Sequence, residues 1–389
     1  MNNKIDNGII ELGIITKFLV LLYFVISFYE GYLNQILGSN TKFLLIGLIV
    51  LICFQNRTVY INKVEICLFS WIVFKSISIL WATRGHNDMV STQFLSLWAM
   101  ILFLIVFTNK PIEASYIDHI ILCVQIASTS MAVLGLFKSE TYQYTNAARQ
   151  VLTLHNTQID PNDLSALYIV GVVIGLDLLY EKKGYLVLNI ISVVAGLITI
   201  LMTGSRGGLV SVISIIALIF ILSNKKKGIK NIIVSMLIII VILAVLYTLT
   251  SKFVSTASLT RIFTIEDSKI GYARGTGRMA LWKYGFSLFL QKPLMGWGWG
   301  GYNTMGVASH NTYLSMLLDT GIIGMILFIV PMVMINIRAF KSGKPLVIML
   351  LLAGLIPSLF IDAINKRFFW NGIILALIVL QDREDYLKN

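Results

Sequence analysis

Residues 311–337, NTYLSMLLDTGIIGMILFIVPMVMINI, decide the fold class because they form one long and nearly continuous apolar run. A run of roughly 17–25 apolar residues can cross the hydrocarbon layer of a membrane as a helix. Similar runs recur along the chain, of which 57% is hydrophobic and only 13% charged. A water-soluble fold has to cover its core with polar residues, so this composition predicts a helical membrane protein.

The apolar runs predict an all-α, polytopic integral membrane protein with about twelve transmembrane helices. Connections rich in lysine mark the cytoplasmic side, because cytoplasmic loops are enriched in Lys and Arg. Three connections of this kind fall on one side, at 181–183, 223–230 and 338–344. An even number of spans then predicts both termini in the cytoplasm. The predicted spans are 10–28, 42–55, 64–82, 93–109, 116–137, 164–181, 185–203, 208–223, 229–250, 311–337, 345–361 and 368–381.

Residues 1–389 are interpreted as a single integral membrane domain with two extracytoplasmic loops. The shorter loop is 138–163, and the large, partly helical loop is 251–310. Long connections in compact proteins are commonly functional, so we expect the large loop to carry active-site residues. Its GWGWGG run at 296–301 lacks the strand and helix of a phosphate-binding loop, and is interpreted as a turn whose tryptophans anchor at the membrane interface.

Arginine and lysine are sorted to different sides of the predicted membrane. Arginine binds phosphate oxygens with a planar, bidentate fork, so arginines that oppose the positive-inside trend indicate an anionic ligand on the outer face. Arg206, in TGSRGG at the rim of two apolar spans, is the strongest candidate, because charge there is costly unless it faces a cavity or a partner. Solvated loop charges paired with Asp and Glu are the alternative. The seven outer arginines are Arg84, Arg149, Arg206, Arg261, Arg274, Arg278 and Arg367.

His310 is the candidate catalytic residue. Imidazole titrates near neutrality and is the natural general base for removing a proton from a hydroxyl group. At helical spacing, His310, Leu314, Leu317, Gly321 and Gly324 would share one face, and the glycines would allow a neighbouring backbone to approach closely. The alternative is that this histidine is a helix cap or an interface residue.

Other residues could support this chemistry. Asn311 follows the histidine, Ser205 precedes the rim arginine, and Arg278 and Trp282 lie one helical turn apart. The sequence has no HExxH spacing and no Cys/His cluster, so we expect no metal and no cofactor. The +12 charge is interpreted through membrane orientation, and no nucleic acid partner is expected.

Charged residues within or near the predicted spans keep a transporter function open, because an intramembrane charge is a functional hypothesis by default. Their partners cannot be identified from the sequence. These residues are Lys17, Lys75, Asp177 and Asp319.

Several motifs together resemble the bacterial O-antigen ligase and Wzy-type polysaccharide polymerase superfamily. The HN pair, followed by nine residues and then GIIG, resembles its C-terminal signature. The SRGG after a span, the Arg-x-x-x-Trp at 278–282, the Pro293, Gly296 and Gly298 run and the DPN at 160–162 are also similar to the family. The resemblance covers roughly residues 145–330 in motifs.

The resemblance implies a GT-C-like, metal-independent, inverting glycosyltransferase in the bacterial cytoplasmic (inner) membrane, with its active site facing the periplasm or exterior. Its donor would be a polyprenyl-pyrophosphate-linked oligosaccharide, and His310 would be the catalytic base. Arg206 and Arg278 would bind the pyrophosphate, with Arg149, Arg261 and Arg274 as weaker candidates.

The motifs leave the acceptor open. A polymerase would join lipid-linked repeat units of an O-antigen or capsular polysaccharide, with a chain-length regulator as a candidate partner. A ligase would transfer the glycan to lipid A core or another acceptor. A lipid-linked oligosaccharide transporter is a remote alternative, because it would show internal repeats and small loops on both faces.

Overall fold

Twelve helices and one small sheet make up the part of the chain that the computed structural model describes. That part comprises residues 10–37, 41–56, 61–82, 88–144, 147–223, 258, 278–300 and 309–381. The predicted span at 229–250 lies outside the described residues. The helices are α1 Ile14–Leu37, α2 Thr41–Gln55, α3 Lys63–Ile77, α4 Asp88–Phe107, α5 Ala114–Lys138, α6 Pro161–Tyr180, α7 Leu186–Met202, α8 Arg206–Ser223, α9 Arg278–Gln291, α10 Thr312–Ser342, α11 Pro345–Leu355 and α12 Arg367–Leu380.

Within the described ranges, five helices are long and apolar enough to cross a membrane: α1, α3 with its 3-10 extension to Trp81, α5, α6 and α10. Six further helices are apolar but shorter than a full span. Large apolar side chains such as Phe18 and Phe54 are exposed on the outside of the bundle, as expected for contact with lipid. The prediction of a mostly helical membrane protein is confirmed, and twelve spanning helices stay a prediction.

Helix α6 lies at the centre of the bundle and contacts α5 and α7. Small residues make these contacts close, as is common between membrane helices. A Cβ at Gly171 would lie 2.9 Å from Ser128 Cβ of α5, and one at Gly175 would lie 2.9 Å from the Asn189 carbonyl oxygen of α7.

A three-stranded antiparallel sheet connects α5 to α6 and was not part of the all-α prediction. Its strands are β1 Ser139–Tyr144, β2 Ala147–Leu154 and β3 Thr157–Gln158, in that order. His155 and Asn156 both have a positive φ, which is the two-residue turn that suits a hairpin between β2 and β3. Tyr, Thr and Val favour strands, and tertiary pairing converts the predicted loop 138–163 into a sheet.

Helix α10 is interrupted at Gly321, whose backbone has φ 63° and ψ −162°. The predicted continuous face through Leu314, Leu317, Gly321 and Gly324 is therefore wrong beyond this point. In an unbroken helix, the N–H groups of Ile322 and Ile323 would donate to the carbonyls of Leu318 and Asp319.

The segment 293–298 is inserted into this interruption and supplies the missing partners. Ile322 N–H donates to the Pro293 carbonyl at 2.8 Å, and Ile323 N–H donates to Leu294 at 3.2 Å. On the other side of the interruption, Trp297 N–H donates to the Leu318 carbonyl at 2.7 Å. Gly298 N–H donates to the Asp319 carbonyl at 2.9 Å. The two lost helical hydrogen bonds are thus replaced by four hydrogen bonds to the inserted segment.

The GWGWGG run continues from this insertion toward the end of α3. Trp299 is 3% exposed, and its N–H donates to Ser78 Oγ at 3.0 Å. Its ring lies 4.9 Å from Lys75 Nζ. The interpretation of this tryptophan as a membrane-interface anchor is therefore wrong, because the residue is buried between helices.

Candidate functional site

His310 lies immediately before α10, with an exposed side chain and a left-handed backbone (φ 49°). The backbone N–H of His310 donates to Asp362 Oδ2 at 3.1 Å. The second carboxylate oxygen, Oδ1, accepts from Ser315 Oγ at 2.6 Å and lies 3.2 Å from Ser309 Oγ. A left-handed backbone is uncommon outside glycine and is maintained by surrounding contacts. The carboxylate of Asp362 thus fixes the backbone while the imidazole stays accessible.

The residues on both sides of this histidine are also fixed. Asn311 is the N-cap of α10, and its Oδ1 accepts from the N–H groups of Tyr313 and Leu314 at 3.0 Å each. Trp282 of α9 donates from Nε1 to the Ser309 carbonyl at 3.0 Å. Asn311 and Trp282, both predicted to support the site, therefore act on the backbone next to the candidate base.

Two arginines at the first residues of two helices interact electrostatically. Arg278 begins α9, Arg206 begins α8, and the charges of Arg206 and Asp160 both act on Arg278. Burial lowers the pKa of Arg278, Asp160 opposes this shift and Arg206 adds to it. A guanidinium nevertheless stays protonated in proteins. The three interacting charges, two positive and one negative, sum to a positive field that suits an anion.

Asn162 connects the DPN and SRGG motifs. Its Oδ1 accepts from Ser205 Oγ at 2.9 Å, and Arg149 Nη2 lies 3.5 Å away. Its own N–H and Nδ2 donate to Asp160 Oδ1 at 2.7 and 2.8 Å. Asp160 is also the N-cap of α6. Ser205 in turn accepts the N–H of Gly208 at 3.1 Å, which orients the first turn of α8.

Arg206 and the candidate base are linked by a contact between the start of α8 and the loop that carries Asp362. A Cβ at Gly207 would lie 2.7 Å from Phe360 Cβ, so only glycine allows the start of α8 to approach this residue so closely. Phe360 is two positions before Asp362, which binds the His310 backbone. Trp282, one turn after Arg278, makes the second connection through Ser309.

Not all the predicted site residues are brought together. Arg261 and Arg274 lie outside the described residues, as does Arg84. Arg367, counted among the outer arginines, is buried and pairs with Glu30 at 2.6 Å between Nε and Oε1. Among the residues that the structure describes, no group of three His, Cys, Asp or Glu side chains could hold a metal ion.

The charges within the spans form ion pairs in two cases. Lys75 of α3 and Asp319 of α10 are 2.7 Å apart and buried, directly beside the interruption at Gly321. Lys17 pairs with Glu113 at 3.1 Å where the side chains are partly exposed. A buried pair of this kind ties α3 to α10 and gives Lys75 and Asp319 a structural explanation.

Sequence reasoning missed Asp362, the residue that holds the His310 backbone. The signal available was a polar group, DAINKR at 362–367, between the last two apolar spans. A short loop that places an acid, an amide and two cations at one membrane face exceeds the needs of a turn. No spacing rule, however, connects residues 52 positions apart.

The chain was also compared with known proteins. The sequence model of the O-antigen ligase family, Wzy_C, matches residues 191–329. This segment begins in α7 and ends in α10, and it includes Ser205, Arg206, Arg278, Trp282 and His310. No curated protein matches the chain. The match over residues 191–329 therefore confirms the resemblance to the O-antigen ligase and Wzy-type superfamily and supports a membrane glycan-processing enzyme.

Proposed function

We propose that the chain is a metal-independent, inverting glycosyltransferase that polymerises polyprenyl-pyrophosphate-linked repeat units on the outer face of the bacterial cytoplasmic membrane. The observation that carries this proposal is the exposed His310 imidazole on a fixed backbone, joined through α9 and the Gly207–Phe360 contact to the Arg206–Arg278 pair.

In the proposed reaction, an acceptor hydroxyl attacks the anomeric carbon of the donor sugar. The new carbon–oxygen bond forms as the bond to the pyrophosphate oxygen breaks, and the leaving pyrophosphate takes the electron pair. His310 accepts the hydroxyl proton as general base. Arg206 and Arg278 stabilise the charge that develops on the pyrophosphate, which is the task that a metal ion performs in other transferases.

The roles of the supporting residues follow from their contacts. Arg149 contacts Asn162, whose Oδ1 also binds Ser205 Oγ, and its expected effect on pyrophosphate binding is smaller than that of Arg206 or Arg278. Ser205 orients the first turn of α8 and with it Arg206. Asp362, Asn311 and Trp282 position the base.

A ligase is the second candidate, because the matching family model is described as O-antigen ligase. Both enzymes would use the same donor and base, and they differ in the acceptor. A ligase would transfer the lipid-linked glycan to lipid A core instead of a second repeat unit.

The test uses purified protein, a synthetic polyprenyl-pyrophosphate repeat unit and EDTA, with products separated by size. A ladder of multiples supports the polymerase, and a single product formed only with lipid A core supports the ligase. His310→Ala should abolish either product. His119→Ala is the matched control, because that exposed histidine of α5 bonds through Nδ1 to the Ser115 carbonyl oxygen of its own helix and should leave transfer unchanged. Full activity in the His310 variant would refute the assignment of the base.

A further inference from the structure

The segment 360–366, between α11 and α12, contacts the elements that carry the candidate site. At its start, Phe360 lies against Gly207 of α8, and Asp362 binds the backbone of His310. Thr312 Oγ1, in the first turn of α10, donates to the carbonyl at 361 at 2.7 Å and accepts the N–H at 363 at 2.8 Å. The first half of this segment is therefore attached to the backbone on which the candidate base lies.

The last residue of the segment reaches the anion site through an ion pair. Lys366 Nζ pairs with Asp163 Oδ2 in the first turn of α6. Asp163 directly follows Asn162, whose Oδ1 accepts from Ser205 Oγ at 2.9 Å. The pair therefore links the segment that holds the base to the turn of α6 that is bonded to the start of α8.

The two side chains next to Lys366 attach the chain to other parts of the bundle. Asn365 Nδ2 donates to Gln93 Oε1 of α4 at 3.0 Å, and Arg367 pairs with Glu30 of α1. Neither α1 nor α4 carries a candidate site residue. Of these three side chains, Lys366 is the one that connects the segment to the element that begins with the DPN motif.

Transfer requires a fixed separation between the base and the pyrophosphate, because a misplacement of about 1 Å can lower a rate by roughly 10². His310 and Arg206 lie on different elements, before α10 and at the start of α8. We propose that Lys366 is a positioning residue for transfer, whose ion pair with Asp163 holds the Asp362 segment, and through it His310, in register with the anion site. The identity of the reaction rests on the proposed function.

The first measurement is kcat and donor KM in the transfer assay. Lys366→Met should lower kcat by about 10–10², with a much smaller change in donor KM, because the base is displaced while both arginines stay in place. Lys366→Arg should restore most of kcat, since a guanidinium can also pair with the carboxylate. Asp163→Asn should lower kcat in the same way, because it removes the other partner of the ion pair.

Lys17→Met is the matched control. The side chain of Lys17 is 36% exposed, against 37% for Lys366, and it also forms an ion pair, with Glu113 at 3.1 Å. Glu113 directly precedes α5, at the opposite end of that helix from the sheet. Partly exposed pairs of this kind contribute little to stability, so both variants should fold, and Lys17→Met should transfer at the wild-type rate.

Hydrogen exchange of the peptide 309–315 measures the position of the base without any transfer. The N–H of His310 donates to Asp362, and the N–H of Thr312 donates to the carbonyl at 361 at 3.1 Å. Lys366→Met should accelerate exchange of this peptide, and Lys17→Met should not. A wild-type protein that transfers no glycan, but shows this difference in exchange, would refute the proposed function and leave the positioning contact in place.

Three results would overturn the proposal. The first is wild-type kcat in Lys366→Met, and the second is unchanged exchange of the peptide 309–315 in that variant. The third is a raised donor KM at unchanged kcat, together with full activity in Asp163→Asn, because Lys366 would then bind the donor directly and Asp163 would only compete for it.

Discussion

Replacing Gly321 with alanine is the sharpest test of the interrupted α10. The glycine has φ 63° and ψ −162°, a backbone region that is essentially restricted to glycine and is unfavourable for other residues by about 1–3 kcal/mol. A Cβ there would also overlap the Leu294 carbonyl group and lie 2.6 Å from Met295 N. Overpacking of this kind is unfavourable by about 1–3 kcal/mol. The two effects together predict a loss of about 2–6 kcal/mol in the free energy of unfolding.

Two other glycines separate these effects. Gly343 also has a positive φ of 68°, but a Cβ there would meet no atom within 4 Å. Gly343→Ala should therefore show the backbone effect alone, about 1–2 kcal/mol. Gly47 lies within α2, where an added Cβ also meets open space, so Gly47→Ala should stabilise the helix by up to about 1 kcal/mol.

The assay is thermal unfolding of the three variants in one detergent, followed by glycan transfer below the unfolding temperature. The expected order of stability is Gly47→Ala, wild type, Gly343→Ala and Gly321→Ala. Gly321→Ala should also lose transfer while folded, because the segment 293–298 that it displaces follows α9 directly. If Gly321→Ala were as stable as Gly343→Ala, the inserted segment would not be in close contact with α10.

Three further predictions concern named contacts. Lys75→Met should lower the free energy of unfolding by about 3–5 kcal/mol, because it leaves the buried Asp319 carboxylate unpaired. Thermal unfolding of the double variant with Asp319→Leu should show that part of this stability is restored. No recovery in the double variant would contradict a direct ion pair. Asp362→Asn should reduce kcat in the transfer assay with the donor KM nearly unchanged, since it weakens the support of the base but not the anion site; a changed donor KM alone would argue against this role. Arg278→Lys should lower kcat by roughly 10² if bidentate contact stabilises the leaving group, and full activity would indicate a simple point charge.

The order and type of the helices could be predicted because each apolar run determines its own secondary structure. The link between Arg278 and Trp282 was also predictable, since one turn of an amphipathic helix places both on one side. The motifs shared with the O-antigen ligase and Wzy-type superfamily implied that Arg206 and His310 act in the same reaction. Local pattern was sufficient in these cases.

The remaining features depend on contacts between distant segments. Asp362 reaches the backbone of His310 only because the bundle brings the last loop beside the start of α10. The sequence predicted that Gly321 lies within a continuous helix and allows another helix to pack closely, whereas its φ is incompatible with a helix. The buried pair of Lys75 and Asp319 likewise required knowledge of which helices touch.

The interruption of α10 has a consequence for how the chain enters the membrane. A helix normally satisfies its own backbone and can insert into lipid as an independent unit. The exposed backbone groups of α10 at 318–323 would each be unfavourable by several kcal/mol in hydrocarbon until residues 293–298 bind them. The second half of α10 should therefore become stable in the bilayer only together with the preceding loop. We therefore expect the second half of α10 and the segment 293–298 to insert and fold together, because the segment binds the backbone groups that the helix leaves unsatisfied.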